Sequence, residues 1–469
     1  MSKLFVFGIG GTGSRVLRSL TMLMATGVKL GVDEIVPIIV DPDASNADLT
    51  RTVALLNNYS SLQEDLSFDN SNTCRFFRTK IERILNNYTL RIDDTNDKTF
   101  QQFIDYQSMS NENKALTKML FSDKNLHSSM DVGFKGNPNI GSVVLNQISH
   151  STDFESFAND FTEGDHIFIV SSIFGGTGAS GFPLLLKTLR HGDNFPNHSI
   201  INNAHIGALT VLPYFKLKQE EESEIDSSTF ISKAKSALAY YENNIIKNGD
   251  IDALYYLADD ISKTYDNHEG GSTQRNDAHL IEFLGATAIV DFSHASRPSD
   301  DSTSNLELGI KDGWDVISFG SFHRKLWDML YTPMVQFTLM SNALTHKIDF
   351  FRSPTFNANK GNFDGYFYSG KFFGNLTDFF EKYHEWLAEM KNNKRSLDLF
   401  NEKCGDKPLE LVTGVPPKKS FFSRYSDYSL VTDRLNKAIN NCKSKGAENN
   451  FLEMFYLGTQ SIVKDKLTY

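Results

Sequence analysis

Cysteine and long apolar runs are both scarce in this chain. The 469 residues include only three cysteines, Cys74, Cys404 and Cys442, and these lie far apart. Their spacing excludes a disulfide framework and a zinc motif of paired cysteines. No apolar run approaches the roughly 20 residues that span a bilayer, and the N-terminus lacks the apolar core of a secretory signal. The sequence therefore predicts a cytoplasmic protein with no transmembrane segment.

Positive charge is scarce as well. Lys and Arg total 47 against 58 Asp and Glu, which leaves a net charge of -11 at pH 7. Nucleic-acid binding needs a basic surface that neutralises phosphates, so we expect no direct nucleic-acid partner. The hydrophobic share of 40% and the charged share of 22% are those of an ordinary globular protein. The length allows two or three domains.

The most informative stretch covers residues 167–181 and reads IFIVSSIFGGTGASG. Residues 167–170 are apolar and rich in β-branched side chains, which is typical of a strand buried on both faces. Gly175, Gly176 and Gly178 then give a flexible turn, and apolar residues at helical spacing follow. Such a loop delivers free N–H groups to a helix start, where a phosphate is the natural ligand. On this stretch alone, a turn that merely joins a core strand to a core helix is the alternative.

The N-terminus repeats this pattern. Residues 4–7 predict a strand, a glycine-rich loop covers residues 8–14, and a helical pattern follows. A second predicted strand, residues 35–40, ends on Asp41 and Asp43. Carboxylates at that place can bind a ribose hydroxyl or hold Mg²⁺ through water, or they can cap the next turn.

Further segments also place polar groups at helix starts. Residues 133–142 concentrate Gly and Pro before a helical pattern. Asn276 and Asp277 open a largely apolar segment that predicts a helix through residue 289, and both residue types are favoured as N-caps. An additional helix is predicted over residues 76–85.

The domain boundary is predicted near residues 296–310, which are polar and contain proline. This linker separates an N-terminal unit, residues 1–295, from a C-terminal α+β or helical unit, residues 311–469. In the second unit, apolar spacing predicts helices over residues 326–343, 376–399, 428–439 and 451–464.

Four loops resemble, in order, the nucleotide-binding loops of the tubulin/FtsZ superfamily of GTPases. The first covers residues 10–14, the second 41–43, the third 136–138 with Gly141, and the fourth 174–181. The GGTGxSG sequence of the fourth loop is the specific part of the resemblance. The resemblance covers about residues 1–291. It implies nucleotide-binding roles for Gly10, Gly11, Thr12, Gly13 and Ser14, for Asp41 and Asp43, for Gly136 and Asn137, for Gly175, Gly176, Thr177, Gly178, Ala179 and Ser180, and for Asn276 and Asp277 at the guanine edge.

The resemblance implies an α/β fold with a Rossmann-like parallel sheet, a central helix and a mixed, helix-rich C-terminal region. It implies GTP or GDP as ligand, with Mg²⁺ held indirectly by Asp41 and Asp43. It also implies head-to-tail self-assembly into filaments, together with adaptor proteins that the sequence does not identify.

Two departures from the family pattern concern hydrolysis. Phe174 replaces the first signature glycine and is expected to crowd the phosphate loop. In the family, an acidic loop of NxDxxD or NxDxxE type on the next subunit completes the site. Here Asn305 and Glu307 are the nearest catalytic candidates, without the remaining spacing. GTPase activity is therefore left open, and a GTP-stabilised scaffold without hydrolysis is one alternative.

An adenylating enzyme of the ubiquitin-activating/ThiF type is the other alternative. Residues 8–15 are reminiscent of that family's GxGGxGS…DxD…SN…R pattern, and the later positions of the pattern fall on Asp41, Asp43, Ser45, Asn46 and Arg51. The second glycine loop and the lack of a CxxC zinc pair argue against it.

Overall fold

The structure is a computed structural model. The residues that it describes are 2–43, 46–68, 73–92, 95, 97–130, 134, 137–218, 229–260, 263–265, 275–298, 302–311, 316–360, 362–405, 407–418 and 427–468.

Within these residues the chain forms nine strands. They are β1 (Lys3–Ile9), β2 (Glu34–Val40), β3 (Lys80–Ile81), β4 (His166–Ser172), β5 (His205–Val211), β6 (Lys216–Leu217), β7 (Ala253–Leu257), β8 (Thr264–Tyr265) and β9 (Ser304–Glu307). Seven of them form one sheet in the order β3-β2-β1-β4-β5-β7-β9, and every pair in it is parallel. Strands β6 and β8 form a separate parallel pair.

Sixteen α-helices lie in the same described ranges. They are α1 (Gly10–Ala25), α2 (Ala47–Glu64), α3 (Phe100–Phe103), α4 (Asn111–Leu120), α5 (Asp123–Leu126), α6 (Pro138–Leu145), α7 (Thr152–Asp160), α8 (Gly176–His191), α9 (His198–Ile201), α10 (Phe230–Tyr241), α11 (Leu280–Ser293), α12 (Arg324–Arg352), α13 (Gly365–Ser369), α14 (Lys371–Asn392), α15 (Asp427–Ala438) and α16 (Ala447–Lys466). No helix in these ranges is both long and apolar enough to cross a membrane.

Helices cover both faces of the sheet, as a sheet with apolar side chains on both faces requires. On one face, Phe5 and Phe7 of β1 pack edge-on against Phe157 of α7. On the other face, the buried helix α11 packs Phe292 against Phe168 of β4, with ring centroids 5.1 Å apart. Both faces of the strands are buried, so apolar residues follow one another along each strand instead of alternating with polar residues.

Pro37 lies inside β2, where proline would normally interrupt pairing. The carbonyls of Ile35 and Ile39 accept from Glu82 and Leu90 on the β3 side. Because backbone groups two residues apart face the same neighbour, Pro37 faces that side too. Strand β3 ends before it reaches Pro37, so the missing N–H removes no ladder bond.

The predicted fold class is confirmed. The chain is an α/β protein with a Rossmann-like parallel sheet. The described residues from 316 onwards are mainly helical, from α12 to α16. The boundary between residues 1–295 and 311–469 stays a prediction. Helix α14 packs directly on the first unit, since Trp386 Nε1 donates to Ser19 Oγ at 3.2 Å.

Three local predictions are corrected. Within the predicted linker, residues 304–307 form β9 and extend the sheet, because their backbone pairs with β7. The predicted helix over residues 76–85 is absent from the described chain there: Phe77 has a φ of 55° and β3 follows. The central helix begins at Leu280 instead of Asn276, since His279 is its N-cap.

His205 opens β5 and is buried against α11. Its ring lies 4.5 Å from the Phe292 ring and 5.1 Å from the His166 ring, centroid to centroid. Its Nε2 has no hydrogen-bond partner among the described residues. Burial is the main cause that lowers the pKa of His205 to about 4, with Asp252 opposing and His166 adding to the effect.

We expect His205 to make the fold sensitive to acid. In the unfolded chain a histidine has a pKa near 6.5, so between about pH 4 and 6.5 the unfolded state binds more protons. The contribution of neutral His205 is present above pH 6.5 and is lost as the pH falls towards 4, which amounts to roughly 2 kcal/mol at pH 4.5. Urea unfolding at about pH 7 and 4.5 should therefore show a smaller acid loss for His205→Leu than for the wild type.

The matched control is His150→Leu, since His150 is exposed. This variant should lose as much stability on acidification as the wild type. Equal acid losses for His205→Leu and the wild type would contradict the assignment.

Candidate functional site

The sheet has a topological switch point between β1 and β4. From β1 the chain moves outward to β2 and β3, whereas β4 leads to β5 on the other side. In open α/β sheets, ligands bind at the carboxyl edge beside such a point. Helix α1 begins at Gly10 directly after β1, and α8 begins at Gly176 after β4. Both predicted glycine loops therefore start helices at the switch point.

The first and fourth predicted loops lie in contact. Gly10 has a φ of +68°, and a Cβ placed on it would lie 3.4 Å from the Thr177 Cβ. Gly13 packs against the end of β1, because a Cβ there would lie only 2.6 Å from the Gly8 Cα. A Cβ on Gly178 would likewise lie 2.7 Å from the Ser172 carbonyl oxygen at the end of β4. The absent side chains therefore allow each helix start to pack closely on the strand before it.

The described part of the third predicted loop lies next to the fourth loop. A Cβ on Gly141 of α6 would lie 3.0 Å from the Ser180 Cβ of α8, so α6 starts beside α8. Asn137 caps α6 by accepting from Asn139 N at 3.2 Å, which occupies its side-chain oxygen. Gly136 lies outside the described residues.

The starts of α1 and α8 lack the usual caps. In the described chain, neither has a side-chain cap or an acidic residue in its first turn. Asn46, Asn137 and Ser151 cap α2, α6 and α7, whereas α10, α12, α14 and α16 also begin without a side-chain cap. The N–H donors of α1 and α8 are therefore left for a ligand or for water.

Exposure sorts the predicted loop residues into two groups. Those that keep partial exposure are Gly11, Thr12, Asn137, Gly175, Thr177 and Ala179. Those that are buried are Gly10, Gly13, Ser14, Gly176, Gly178 and Ser180. The Ser180 hydroxyl donates to the Gly176 carbonyl at 2.8 Å. The first group lines the accessible side of the loops, and the second group packs them together.

Asp41 and Asp43 lie beside the first loop. Val40 of β2 pairs with Ile9 of β1, so Asp41 and Gly10 leave adjacent strands together. Asp41 is 8% exposed and Asp43 is 2% exposed, and Asp43 N donates to Asp41 Oδ1 at 3.1 Å. Burial raises the pKa of Asp41 to about 7, and the charges of Asp43 and Asp48 add to this.

A cation would relieve this crowding of buried carboxyl groups. The described residues contain no cluster of three or more His, Cys, Asp or Glu side chains suited to a metal. Mg²⁺, however, usually takes one or two carboxylates together with phosphate oxygens and waters. Asp41 and Asp43 could hold Mg²⁺ in that shared way.

Arg15 belongs to a buried ion network that the sequence analysis missed. Its Nη1 donates to Asp48 Oδ2 at 2.8 Å, and its Nε donates to Glu282 Oε1. Asn276 donates to the same Asp48 from its backbone N at 2.9 Å and from Nδ2 at 2.7 Å. No spacing in the sequence links these residues, because they lie on separate segments.

Asn276 and Asp277 precede α11 without capping it. The N-cap is His279, whose Nδ1 accepts from Ile281 N at 3.1 Å, so the N-cap interpretation of the pair is wrong. Asn276 is partly exposed and is held by Asp48, whereas Asp277 is exposed. Of the two, Asn276 is therefore the residue with a defined orientation.

The network continues into α14. Glu389 accepts from Arg18 Nη1 at 2.7 Å, from Ala278 N at 3.0 Å and from Arg51 Nη2. Arg15 and Arg51 are thus both paired with carboxylates. This arrangement disfavours the adenylating alternative, whose sequence pattern includes both arginines.

Phe174 does not crowd the phosphate loop, contrary to the expectation from sequence. Its side chain is 5% exposed and packs in an aromatic cluster, with ring centroids 4.9 Å from Phe230, 5.7 Å from Phe215 and 6.3 Å from Tyr214. The ring is therefore held among other aromatic side chains.

Asn305 and Glu307 lie away from the loops of their own chain. Both are exposed on β9, and Asn305 Oδ1 accepts from the Tyr256 hydroxyl at 2.9 Å. Strand β9 is separated from β4 by β5 and β7, which is about 14 Å at the usual strand spacing. The structure does not bring these two residues to the candidate site.

The comparisons with known proteins give only a distant likeness. No protein-family model matches the chain, and no curated protein sequence does. Among solved structures, it is similar to CetZ2 from Haloferax volcanii, a GTPgS-bound protofilament, with 15% identity and a TM-score of 0.27 over 55% of this chain and 49% of that one. It is also similar to CetZ from Methanosaeta thermophila, with 15% identity and a TM-score of 0.28 over 55% and 46%. The chain spans about half the length of these structures.

We expect Gly13→Ala to separate α1 from β1. The new methyl group would meet the Gly8 backbone, which cannot move aside cheaply, so the free energy of unfolding should fall by about 1–3 kcal/mol. The control is Gly374→Ala in α14, where a Cβ has no neighbour within 4 Å and helix propensity should add about 0.5–1 kcal/mol. Urea unfolding checks both, and equal effects would refute the close contact.

Proposed function

We propose that the chain is a tubulin-like protein that binds GTP or GDP at the carboxyl edge between β1 and β4. The observation that carries the proposal is the contact between two uncapped helix starts, α1 and α8, beside the buried carboxyl pair of Asp41 and Asp43. Oriented N–H groups and helix dipoles favour an anion, and the carboxyl pair suits the metal that accompanies phosphates.

Each loop would take one part of the nucleotide. The N–H groups of residues 11–13 and 176–178 would bind the phosphates. Asp41 and Asp43 would hold Mg²⁺ through water, and the ion would neutralise phosphate charge. Asn137, at the start of α6, would line the part of the site that lies beside the start of α8.

Asn276 would read the base. Its side-chain Nδ2 is used by Asp48, so Oδ1 is the atom left to accept from the guanine N1–H and exocyclic amine. Adenine offers no such pair of donors. Asp277, exposed and adjacent, would lie near the same edge of the base.

Assembly and hydrolysis belong to the same proposal. A head-to-tail contact between copies does not close, so it would produce filaments. Asn305 and Glu307 are exposed on the edge strand β9 and could meet a second copy. The alternative, a GTP-stabilised scaffold that does not hydrolyse its nucleotide, rests on the missing NxDxxD or NxDxxE spacing around these two residues.

We expect the wild type to bind GTP far better than ATP, and the double variant Asn276→Ala with Asp277→Ala to lose this preference. Removing the acceptor should lower the ratio of the ATP to the GTP dissociation constant by about ten-fold or more. Filter binding with both nucleotides measures this ratio. Glu242→Ala with Asn243→Ala, at two exposed positions after α10, is the control and should keep it. If ATP competes as well as GTP on the wild type, the guanine assignment fails.

Phosphate release separates the two forms of the proposal. If Glu307 acts across a subunit contact, GTP turnover should rise with protein concentration, and Glu307→Gln should lower it while filaments persist in negative-stain micrographs. A scaffold should form filaments with no phosphate release in either protein. Absence of filaments with GTP, GDP and no nucleotide would contradict self-assembly.

A further inference from the structure

Asp48 makes an unusual number of contacts for one side chain. It lies at the second position of α2 and is 2% exposed. Its Oδ1 accepts from Asn276 N at 2.9 Å, and its Oδ2 accepts from Asn276 Nδ2 at 2.7 Å and from Arg15 Nη1 at 2.8 Å. One buried carboxylate thus holds both the backbone and the side chain of Asn276.

The chemistry of these contacts fixes the Asn276 amide in one orientation. An ionised carboxylate can only accept hydrogen bonds, so the NH₂ group of Asn276 must face Asp48. The Oδ1 atom then points away from Asp48. Without such a partner, an amide can present either its donor or its acceptor. Because Asn276 is partly exposed, its free edge remains accessible.

Arg15 holds the same carboxylate oxygen as the Asn276 amide. Burial opposes the charge of Arg15, yet the carboxylates of Glu282 and Asp48 raise its pKa above the ordinary value. Its guanidinium donates to Asp48 Oδ2 at 2.8 Å, the oxygen that also accepts from Asn276 Nδ2. Arg15 also directly follows the first glycine loop. The segment that would bind phosphate is therefore joined to the residue that holds Asp48, and Asp48 in turn orients Asn276.

We propose that Asp48 is a positioning residue that sets base specificity, because it turns the Asn276 amide so that an acceptor meets the base. The inference rests on the proposed function, since it requires that Asn276 faces the nucleotide. Asp48 itself touches no part of the ligand. It selects a purine with donors at N1 and C2, which is guanine, over one with an acceptor at N1, which is adenine.

The first test is Asp48→Asn. The introduced amide can donate to Asn276 Oδ1, which turns the NH₂ group of Asn276 outward and replaces the acceptor by a donor. We expect the preference for GTP over ATP in filter binding to fall about ten-fold or more. Affinity for inorganic triphosphate should stay within about two-fold, because the phosphate loops are unchanged. A merely structural role for Asp48 would lower binding of all three probes together.

The second test exchanges the two groups. In the double variant Asp48→Asn with Asn276→Asp, the amide at position 48 donates to one oxygen of the new carboxylate, and the other oxygen faces the base. The GTP preference should return to within about three-fold of the wild type. This variant conserves net charge, so it remains decisive even where the single variant melts early in thermal unfolding by circular dichroism.

Asp153→Asn is the matched control. Asp153 holds the same second position in α7 and pairs with the exposed Arg91 through its carboxylate. This variant should keep the wild-type preference for GTP.

The outcomes separate the inference from the proposed function. A wild type that binds GTP and ATP equally well overturns the proposed function. A wild type that prefers GTP, together with a folded Asp48→Asn protein of unchanged preference, overturns only the role of Asp48. A folded exchange variant without GTP preference also overturns that role.

Discussion

The close approach of α1 and α8 at the end of β1 and β4 is the constraint on which the candidate site depends. A Cβ at Gly13 or Gly178 would overlap neighbouring backbone, and a Cβ at Gly10 would require a strained φ. Because these side chains are absent, each helix start packs closely on the strand before it, and the two starts lie in contact at one edge of the sheet. The third loop and the carboxyl pair that follows β2 are then placed around that edge by strand pairing and by packing of α6 on α8.

The buried ion network ties this edge to the rest of the chain. Arg15 and Arg18 lie on α1, and their carboxylate partners come from α2, α11 and α14. Buried charges are costly unless they are paired and hydrogen-bonded, so loss of one partner would destabilise the others. Glu389 shows how far this reaches: it joins α14 to α1, to α2 and to the segment before α11. The C-terminal helices therefore take part in the geometry of the site.

The groups of the proposed nucleotide site converge within one chain, whereas any role of the two catalytic candidates would require a second copy. Donors and carboxyl groups converge at one place within the chain, whereas Asn305 and Glu307 lie on an edge strand about three strand spacings, or ~14 Å, from β4. Phe174, the departure that was expected to disturb the loop, packs into an aromatic cluster instead.

Sequence alone determined the strands, helices and turns that depend only on residues near one another in the chain. Apolar runs predicted β1, β2 and β4, helical spacing predicted α12, α14, α15 and α16, and the glycine loops marked both helix starts, because strand burial and helix periodicity depend on neighbouring residues. Tertiary structure alone decided what depends on distant partners. Phe77 lies outside any helix because its ring packs against Phe337 and Phe379. Asn276 is hydrogen-bonded to Asp48 instead of capping a helix. Such choices are set by packing and charge pairing between segments hundreds of residues apart, which no local pattern encodes.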